Sequence, residues 1–527
     1  MCAVLVVTLM GCADDDAEAP APTSVAARTG STPPRSTGAP SSTRADGTAP
    51  ATAHATTVAV PTSGPREPWF TPTLRERECP AGHPDNAECS TFTIAADRQD
   101  PDGGMIELPV VVLRASGRAP MPDALVIPAG GPGYPGADAL GWGGSPFIAQ
   151  RDIVLYDQRG TGSAMPSLEC PSADAAFVAA LQDNQRYAVE RDAIAAARDD
   201  CVATLEAEGI DLTDYHSEAS AADLDELREA LGYEQWNLLG ISYGGRLALA
   251  AMRSYPDGIR AAILDSVYDV TYGGLASQRD RIERAFRRLA DGCAADPTCS
   301  GAHGDLNRKY ERLRQRYNAE PVVVDVDLGD GKGPQQFVIT GDDMIAGLFN
   351  ALYDAPLIPL LPSIIDDLLA GETGIISALV QRGVPFATGS ADVMGMAVDC
   401  ADNAGLDTAD ADAAVYAEPG RLSLVAAAAG VCPPEWPATP GEFNTPVASA
   451  IPSLVLAGSY DPITPPAGTE QVAEGLTNST FILVDPAGHG VTGYNRCVAR
   501  VELAFLDDPT AALDTSCVAA IAPPAFE

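Results

Sequence analysis

Gly240-Ile241-Ser242-Tyr243-Gly244-Gly245 is the stretch on which the fold turns. Before it, Trp236 to Gly240 is an almost unbroken apolar run, as expected of a strand buried on both faces. After it, Arg246 to Tyr255 reads as a helix. A serine between two glycines, held where a buried strand turns into a helix, matches the G-x-S-x-G elbow that exposes a nucleophile. The turn tolerates only small neighbours, and Gly240 and Gly244 meet that need. The pattern alone is common; its place between these two elements gives it weight.

Working outward, further strand candidates are Ile106–Leu113, Ala124–Pro128, Asp152–Tyr156, Ala261–Leu264, Ser453–Ala457 and Thr480–Val484. Several are continuous apolar runs, which predicts a mostly parallel sheet covered by helices. Ala221 to Leu231, apolar at helical spacing, supplies one covering helix. From about residue 270 to 445 the strand–helix alternation is interrupted. Arg279–Arg288, Leu306–Tyr317 and Asp342–Leu352 read there as helices, and we take the segment as an inserted, mainly helical cap. The expected architecture is α/β, specifically the α/β-hydrolase fold, with core parts at 66–269 and 446–527.

A serine hydroxyl is a weak nucleophile that needs a base and an acid to orient it. The chain has five histidines, so the choice is short. His54 and His83 precede the sheet, and His216 and His303 lie in polar, helix-flanking stretches. His489, in Pro486-Ala487-Gly488-His489-Gly490, follows the last strand, where the chain order Ser…Asp…His puts the base. Asp461, directly after Ser453–Ala457, is the acid expected, with Asp265 and Asp485 as alternatives. Oxyanion donors should be the backbone amides of Tyr243 and of the loop Ala129-Gly130-Gly131-Pro132-Gly133. Pro132 has no N–H, so Gly131 is the first choice there and Gly130 the second. That loop lacks the spaced glycines and lysine of a nucleotide-binding turn, and no cofactor or metal is expected.

Composition limits the partners. Against 33 basic residues stand 72 acidic ones, a net charge of −39. That excludes nucleic-acid or anionic-membrane binding by phosphate neutralisation. Ala3–Met10 is far shorter than the ~20 residues of a membrane-spanning helix. With Gly11-Cys12 following, it reads as a secretory signal ending in a lipobox-like site, which makes Cys12 the candidate lipidation residue. Residues 13–65, rich in Ala, Pro, Ser, Thr and Gly, have almost no large apolar side chains to offset chain entropy, and read as a disordered tether. About 50 such residues reach on the order of 40 Å. Apart from Cys2 and Cys12 there are ten cysteines, an even number that reads as a disulfide set in an exported chain. Their clustering suggests Cys79–Cys89, Cys170–Cys201, Cys293–Cys299, Cys400–Cys432 and Cys497–Cys517, although spacing leaves the connectivity open. A zinc site fits poorly, since there is no CxxC and the histidines are scattered.

Gly130-Gly131-Pro132-Gly133, Asp157-Gln158-Arg159-Gly160-Thr161-Gly162-Ser163 and the Ser242 elbow together resemble the proline iminopeptidase family of α/β-hydrolases. The chain is most similar to its secreted tripeptidyl aminopeptidase branch, echoed by Cys400-Ala401-Asp402, Gly458 through Pro465, Gly488-His489-Gly490 and the Cys497 and Cys517 positions. Ala129 stands where a histidine often opens the oxyanion loop. The resemblance implies an exported serine exopeptidase that releases short peptides from free N-termini, with lipid-anchored relatives that also cleave esters. A carboxylesterase or lipase on the same triad is the alternative. An aminopeptidase must hold a protonated amine, and Asp402 matches the family's pattern, with Asp399 and Glu418 nearby. Arg159 is expected to brace the oxyanion loop through an ion pair with Asp157. Tyr134 and Trp142 are candidates for the pocket wall and equally for the core.

Overall fold

The computed structural model describes residues 69–137, 141–183, 185, 187–267, 278–404, 406, 432, 436–441 and 443–527. The signal, the tether, Cys12, His54 and Glu418 lie outside these residues.

The strands are β1 (Thr73–Arg77), β2 (Ala87–Ala95), β3 (Met105–Leu113), β4 (Leu125–Val126), β5 (Ile153–Tyr156), β6 (Trp236–Ile241), β7 (Ile259–Asp265), β8 (Val322–Val326), β9 (Gln335–Ile339), β10 (Ser453–Gly458) and β11 (Ser479–Val484). Nine form one sheet in the order β1-β2-β3-β5-β4-β6-β7-β10-β11. From β5 to β11 every pairing is parallel, while β1, β2 and β3 add an antiparallel flank. Successive residues of a strand face opposite sides, and both sides are apolar. Val110, Val126, Val154, Leu238 and Leu264 enter one core; Val111, Leu125, Leu155, Leu239 and Ile263 enter the other. That is why these strands read as unbroken apolar runs.

Helices α1 (Pro171–Gln182), α2 (Tyr187–Ala207), α3 (Ser217–Leu231) and α4 (Tyr243–Ser254) lie between β5 and β7 in sequence. Between β7 and β10 come α5 (Gln278–Ala295), α6 (Pro297–His303), α7 (Leu306–Ala319), α8 (Gly341–Ala351), α9 (Leu361–Ala370), α10 (Gly374–Ala387) and α11 (Asp392–Asp402). Most of these pack around a separate apolar core, with Leu313, Leu348, Leu361 and Leu368 fully buried. This segment is not wholly helical, because β8 and β9 pair as an antiparallel hairpin within it. Helices α12 (Pro466–Gly475) and α13 (Arg496–Asp507) follow β10 and β11. Among the described residues five disulfides are formed, Cys79–Cys89, Cys170–Cys201, Cys293–Cys299, Cys400–Cys432 and Cys497–Cys517, each between neighbours in sequence.

Candidate active site

Ser242 sits between β6 and α4 at φ 59°, ψ −123°, a left-handed conformation that non-glycine residues rarely adopt. Close packing enforces it. A Cβ on Gly240 would lie 2.4 Å from the Gly244 carbonyl oxygen, and one on Gly244 would lie 2.3 Å from that of Pro128. Strand, turn and helix therefore close only with glycine at both positions. The Ser242 amide is taken by the Asp265 carbonyl at 3.1 Å, which ties the elbow to β7.

His489 follows β11, and its Nδ1 lies 2.9 Å from Asp461 Oδ2. Asp461, after β10, is 0 % exposed. Its Oδ1 accepts the amides of Ile463 at 2.9 Å and Thr464 at 2.8 Å, and its Oδ2 accepts the Thr464 hydroxyl at 2.7 Å. With the carboxylate against Nδ1, the proton of a neutral imidazole sits on Nδ1 and leaves Nε2 as the base. Burial pushes the His489 pKa down, but the charge and hydrogen bond of Asp461 outweigh it, and the net shift is upward.

The two other carboxylates weighed as acids do other work. Asp265 Oδ2 accepts the amides of Val491 and Thr492, each at 2.6 Å, and so fixes the loop that follows His489. Asp485 takes the Ser459 hydroxyl and, at 3.1 Å, the Arg288 guanidinium. The remaining described histidines are likewise committed: His216 caps α3, His303 bonds Asp366 and the Glu527 carbonyl, and His83 bonds the Pro80 carbonyl at the surface.

The loop of Ser242 and the loop of His489 are neighbours. A Cβ on Gly490 would rest 3.6 Å from Ile241 Cγ2, and the Gly490 amide bonds Ser266 Oγ at 3.0 Å. The loop after β4 closes the third side, since a Cβ on Gly130 would lie 3.6 Å from that of Ser242. Among the described residues the amides of Gly131 and Tyr243 donate to no protein acceptor. Gly131, at φ 117°, occupies a backbone region closed to side chains. Gly130 is the glycine that packs directly on Ser242. All four loops leave the carboxyl ends of parallel strands, where sheets of this kind place their sites.

Two expectations change. Arg159 does not pair with Asp157. Its guanidinium grips both oxygens of Asp223 on α3, at 2.8 and 2.7 Å. Asp157 braces the loop itself, accepting the amides of Gly136 at 2.9 Å and Ala137 at 2.8 Å. A carboxylate can satisfy loop amides without a cation, so the arginine was left to serve α3.

Asp402, expected to meet a substrate amine, is 0 % exposed and enclosed by protein donors. It accepts the Ser217 amide at 3.2 Å, the Ser217 hydroxyl at 2.5 Å and the Thr439 hydroxyl at 2.5 Å, and it lies 3.5 Å from Arg246 Nε. Ser217 Oγ in turn meets the Tyr243 hydroxyl at 2.9 Å. Asp402 thus stands behind the elbow and anchors the side chain of the residue after Ser242. Asp402→Ala would leave the Ser217 amide and the Ser217 and Thr439 hydroxyls without their buried acceptor, a change expected to cost ~1–3 kcal/mol. Urea unfolding should show that loss. KM for free-amine peptides should move no more than KM for their N-acetylated forms; a selective rise for the free amines would return Asp402 to the substrate.

Thr464 was missed by the sequence reading. Its hydroxyl lies 3.1 Å from His489 Nδ1 as well as on Asp461, so one side chain supports both partners. Its place three residues after the acid, as the chain turns toward α12, was the available signal. Tyr353, two residues past α8, was also missed: its carbonyl takes the His489 amide at 3.2 Å and its ring stands edge-on to the imidazole, centroids 5.0 Å apart. From there ring contacts run through Phe386 to Tyr134, which follows the oxyanion loop. Phe386 is nearly half exposed, so an aromatic wall joins the two loops. Trp142 packs instead against the core on the other face of the sheet.

A parallel sheet with a glycine-flanked serine elbow after β6 and a carboxylate–imidazole pair after β10 and β11 defines an α/β hydrolase. The chain has that fold: residues 123–356 match the family model described as alpha/beta hydrolase fold. Residues 426–517 match a second model, described as TAP-like protein. The serine protease Hip1 of Mycobacterium tuberculosis (strain H37Rv) is 26 % identical over 472 residues, 80 % of this chain and 85 % of the relative. The tripeptidyl aminopeptidase of Streptomyces lividans is 26 % identical over 475 residues, 82 % of this chain and 84 % of the relative. Carboxylesterase B of Mycobacterium tuberculosis (strain CDC 1551) is 27 % identical over 316 residues, 56 % of this chain and 57 % of the relative.

Proposed function

We propose that the protein is an exported serine peptidase that removes short, tripeptide-type peptides from free N-termini. The observation that carries this reading is the hydrogen-bonded pair of His489 and Asp461, with the loop of His489 beside the strained Ser242 elbow. Ser242 Oγ attacks the scissile carbonyl while His489 Nε2 takes its proton. Asp461 holds the imidazolium that forms, and the amides of Gly131 and Tyr243 receive the negative charge on the carbonyl oxygen. His489 then protonates the leaving amine. Water, activated by the same nitrogen, releases the acyl group and restores Ser242.

The scope of the substrate comes from the relatives. Two that match most of this chain are named as a serine protease and a tripeptidyl aminopeptidase, and we extend peptide cleavage to this protein on that basis. Five disulfides fit folding in an oxidising compartment. We further propose that residues 270–445 act as the cap over the site, and that Cys12 carries a lipid with residues 13–65 as its tether. Contact with a membrane would then be through that lipid alone.

Carboxylesterase activity is the second reading, favoured by the partial match to a carboxylesterase. Ester and amide hydrolysis need the same groups, so the free amine decides. Tripeptidyl arylamides should lose at least ~10-fold in kcat/KM when N-acetylated, since an unmet charged or polar contact is worth about 1.4 kcal/mol or more. Equal rates on free and acetylated forms, with esters much faster than both, would establish the esterase instead.

A further inference from the structure

The acid loop, residues 459–463, is held from outside as well as from within. Helix α5 belongs to the cap segment, and along one face it carries Arg281, Arg284, Arg288 and Gly292, spaced three and four residues apart, the repeat of one helix face. Each meets the acid loop or the residues beside it. Arg284 donates to the main-chain carbonyl of Asp461 itself. Arg281, buried, donates to the carbonyl of Ile463 at 3.3 Å. Arg288 lies over the ring of Tyr460, 4.1 Å from its centroid, and reaches Asp485 Oδ1 at 3.1 Å. Asp485 also takes the hydroxyl of Ser459. At Gly292 the helix approaches so closely that a Cβ would lie 2.4 Å from the Tyr460 hydroxyl.

The contacts of Arg284 and Arg281 fall on two carbonyls, those of residues 461 and 463, on either side of Pro462. The orientation of their peptide planes decides where the Asp461 carboxylate points, because that carboxylate is folded back onto the Ile463 and Thr464 amides. Proline at 462 contributes no N–H, so this stretch has fewer main-chain donors with which to fix itself. A guanidinium presents several donors in a rigid plane, and its hydrogen bond to a carbonyl is charge-assisted. In a chain with 33 basic against 72 acidic residues, three arginines on a single helix face against this loop are a concentrated use of a scarce charge.

We infer that Arg284, supported by Arg281 and Arg288, is a positioning residue through which the cap sets the catalytic acid: the donors of α5 fix the Asp461 loop, and with it the His489 imidazole, in working geometry. The inference rests on the reading of Asp461 as the acid of the triad. It makes the cap segment part of what orients the triad, in addition to any role in admitting substrate.

The test uses the full chain and p-nitrophenyl acetate, which reports the triad whether the natural substrate is a peptide or an ester. Arg284→Met should lower kcat by about 10- to 100-fold, the scale of a sub-ångström to one-ångström misplacement of a reacting group, with KM changed less than twofold. Arg284→Lys, which keeps a charged donor, should recover at least a third of the wild-type kcat. Arg281→Met should repeat the effect more weakly. Thermal melting and the fraction of sites labelled by a fluorophosphonate at long times should match wild type. Arg284→Met with unchanged kcat would overturn the inference. So would a loss that tracks the labelled fraction, or one that Arg284→Lys fails to recover, since these report only the fold. If Ser242→Ala is inactive while Arg284→Met is normal, the triad stands and only this inference fails.

Discussion

Ser242→Ala should lower kcat/KM by ~10⁴-fold or more on every amide and ester substrate, while the protein stays folded. The loss is large because the hydroxyl forms the bond to the acyl carbon. The residual rate comes from binding and from the two main-chain donors beside the elbow. The fold should tolerate the change. Alanine has the same Cβ as serine, so the left-handed strain at φ 59° is not increased. No protein partner of the hydroxyl is required to hold the turn, because the close approaches are those of Gly240 and Gly244. Melting within a few degrees of wild type, with activity at the detection limit, is the expected pair of results. Turnover within tenfold of wild type on any substrate would move the nucleophile elsewhere and undo the whole functional reading.

How much could be read in advance depended on how local the physics was. The Ser242 elbow was legible because its glycines stand two positions on either side of the serine, at the end of a strand that is apolar on both faces. His489 and Asp461 were legible through chain order, each following a buried strand. The five disulfides join neighbours in sequence, so clustering was informative. What stayed hidden depended on partners far along the chain. β1, Thr-Leu-Arg-Glu-Arg, is an exposed edge strand whose charges leave no apolar pattern. The β8–β9 hairpin has only five residues on each strand, Val-Val-Val-Asp-Val and Gln-Gln-Phe-Val-Ile, without a clean apolar–polar alternation to stand out among helices. Arg159 chose Asp223, 64 residues away, over its neighbour Asp157. Asp402 looked like a free carboxylate, since nothing in the sequence shows that Ser217 and Thr439 converge on it. Arg279–Arg288 read only as a helix of the cap, because the loop its arginines grip lies 177 to 182 residues further along the chain.

Asp461→Asn should cost about 10³- to 10⁴-fold in kcat/KM and should also move the pH profile. The amide can keep the loop, because its carbonyl oxygen still accepts the Ile463 and Thr464 amides now taken by Oδ1. Its NH₂ then faces His489 Nδ1 in place of an acceptor. A neutral imidazole answers by carrying its proton on Nε2, where it can no longer accept one from Ser242. The wild-type profile follows from the same pair. Activity needs neutral His489, and Asp461 raises the imidazole pKa above its ordinary 6.5 in spite of burial. The acidic limb of kcat/KM should therefore fall away as pH drops through a midpoint above 6.5. In Asp461→Asn the burial that disfavours the imidazolium remains and its main counter-charge is gone, with only Asp265 still contributing. The midpoint of the residual activity should then lie below that of wild type. Rates within tenfold of wild type, with an unmoved acidic limb, would show that Asp461 is not the acid and would send the search back to Asp265 and Asp485.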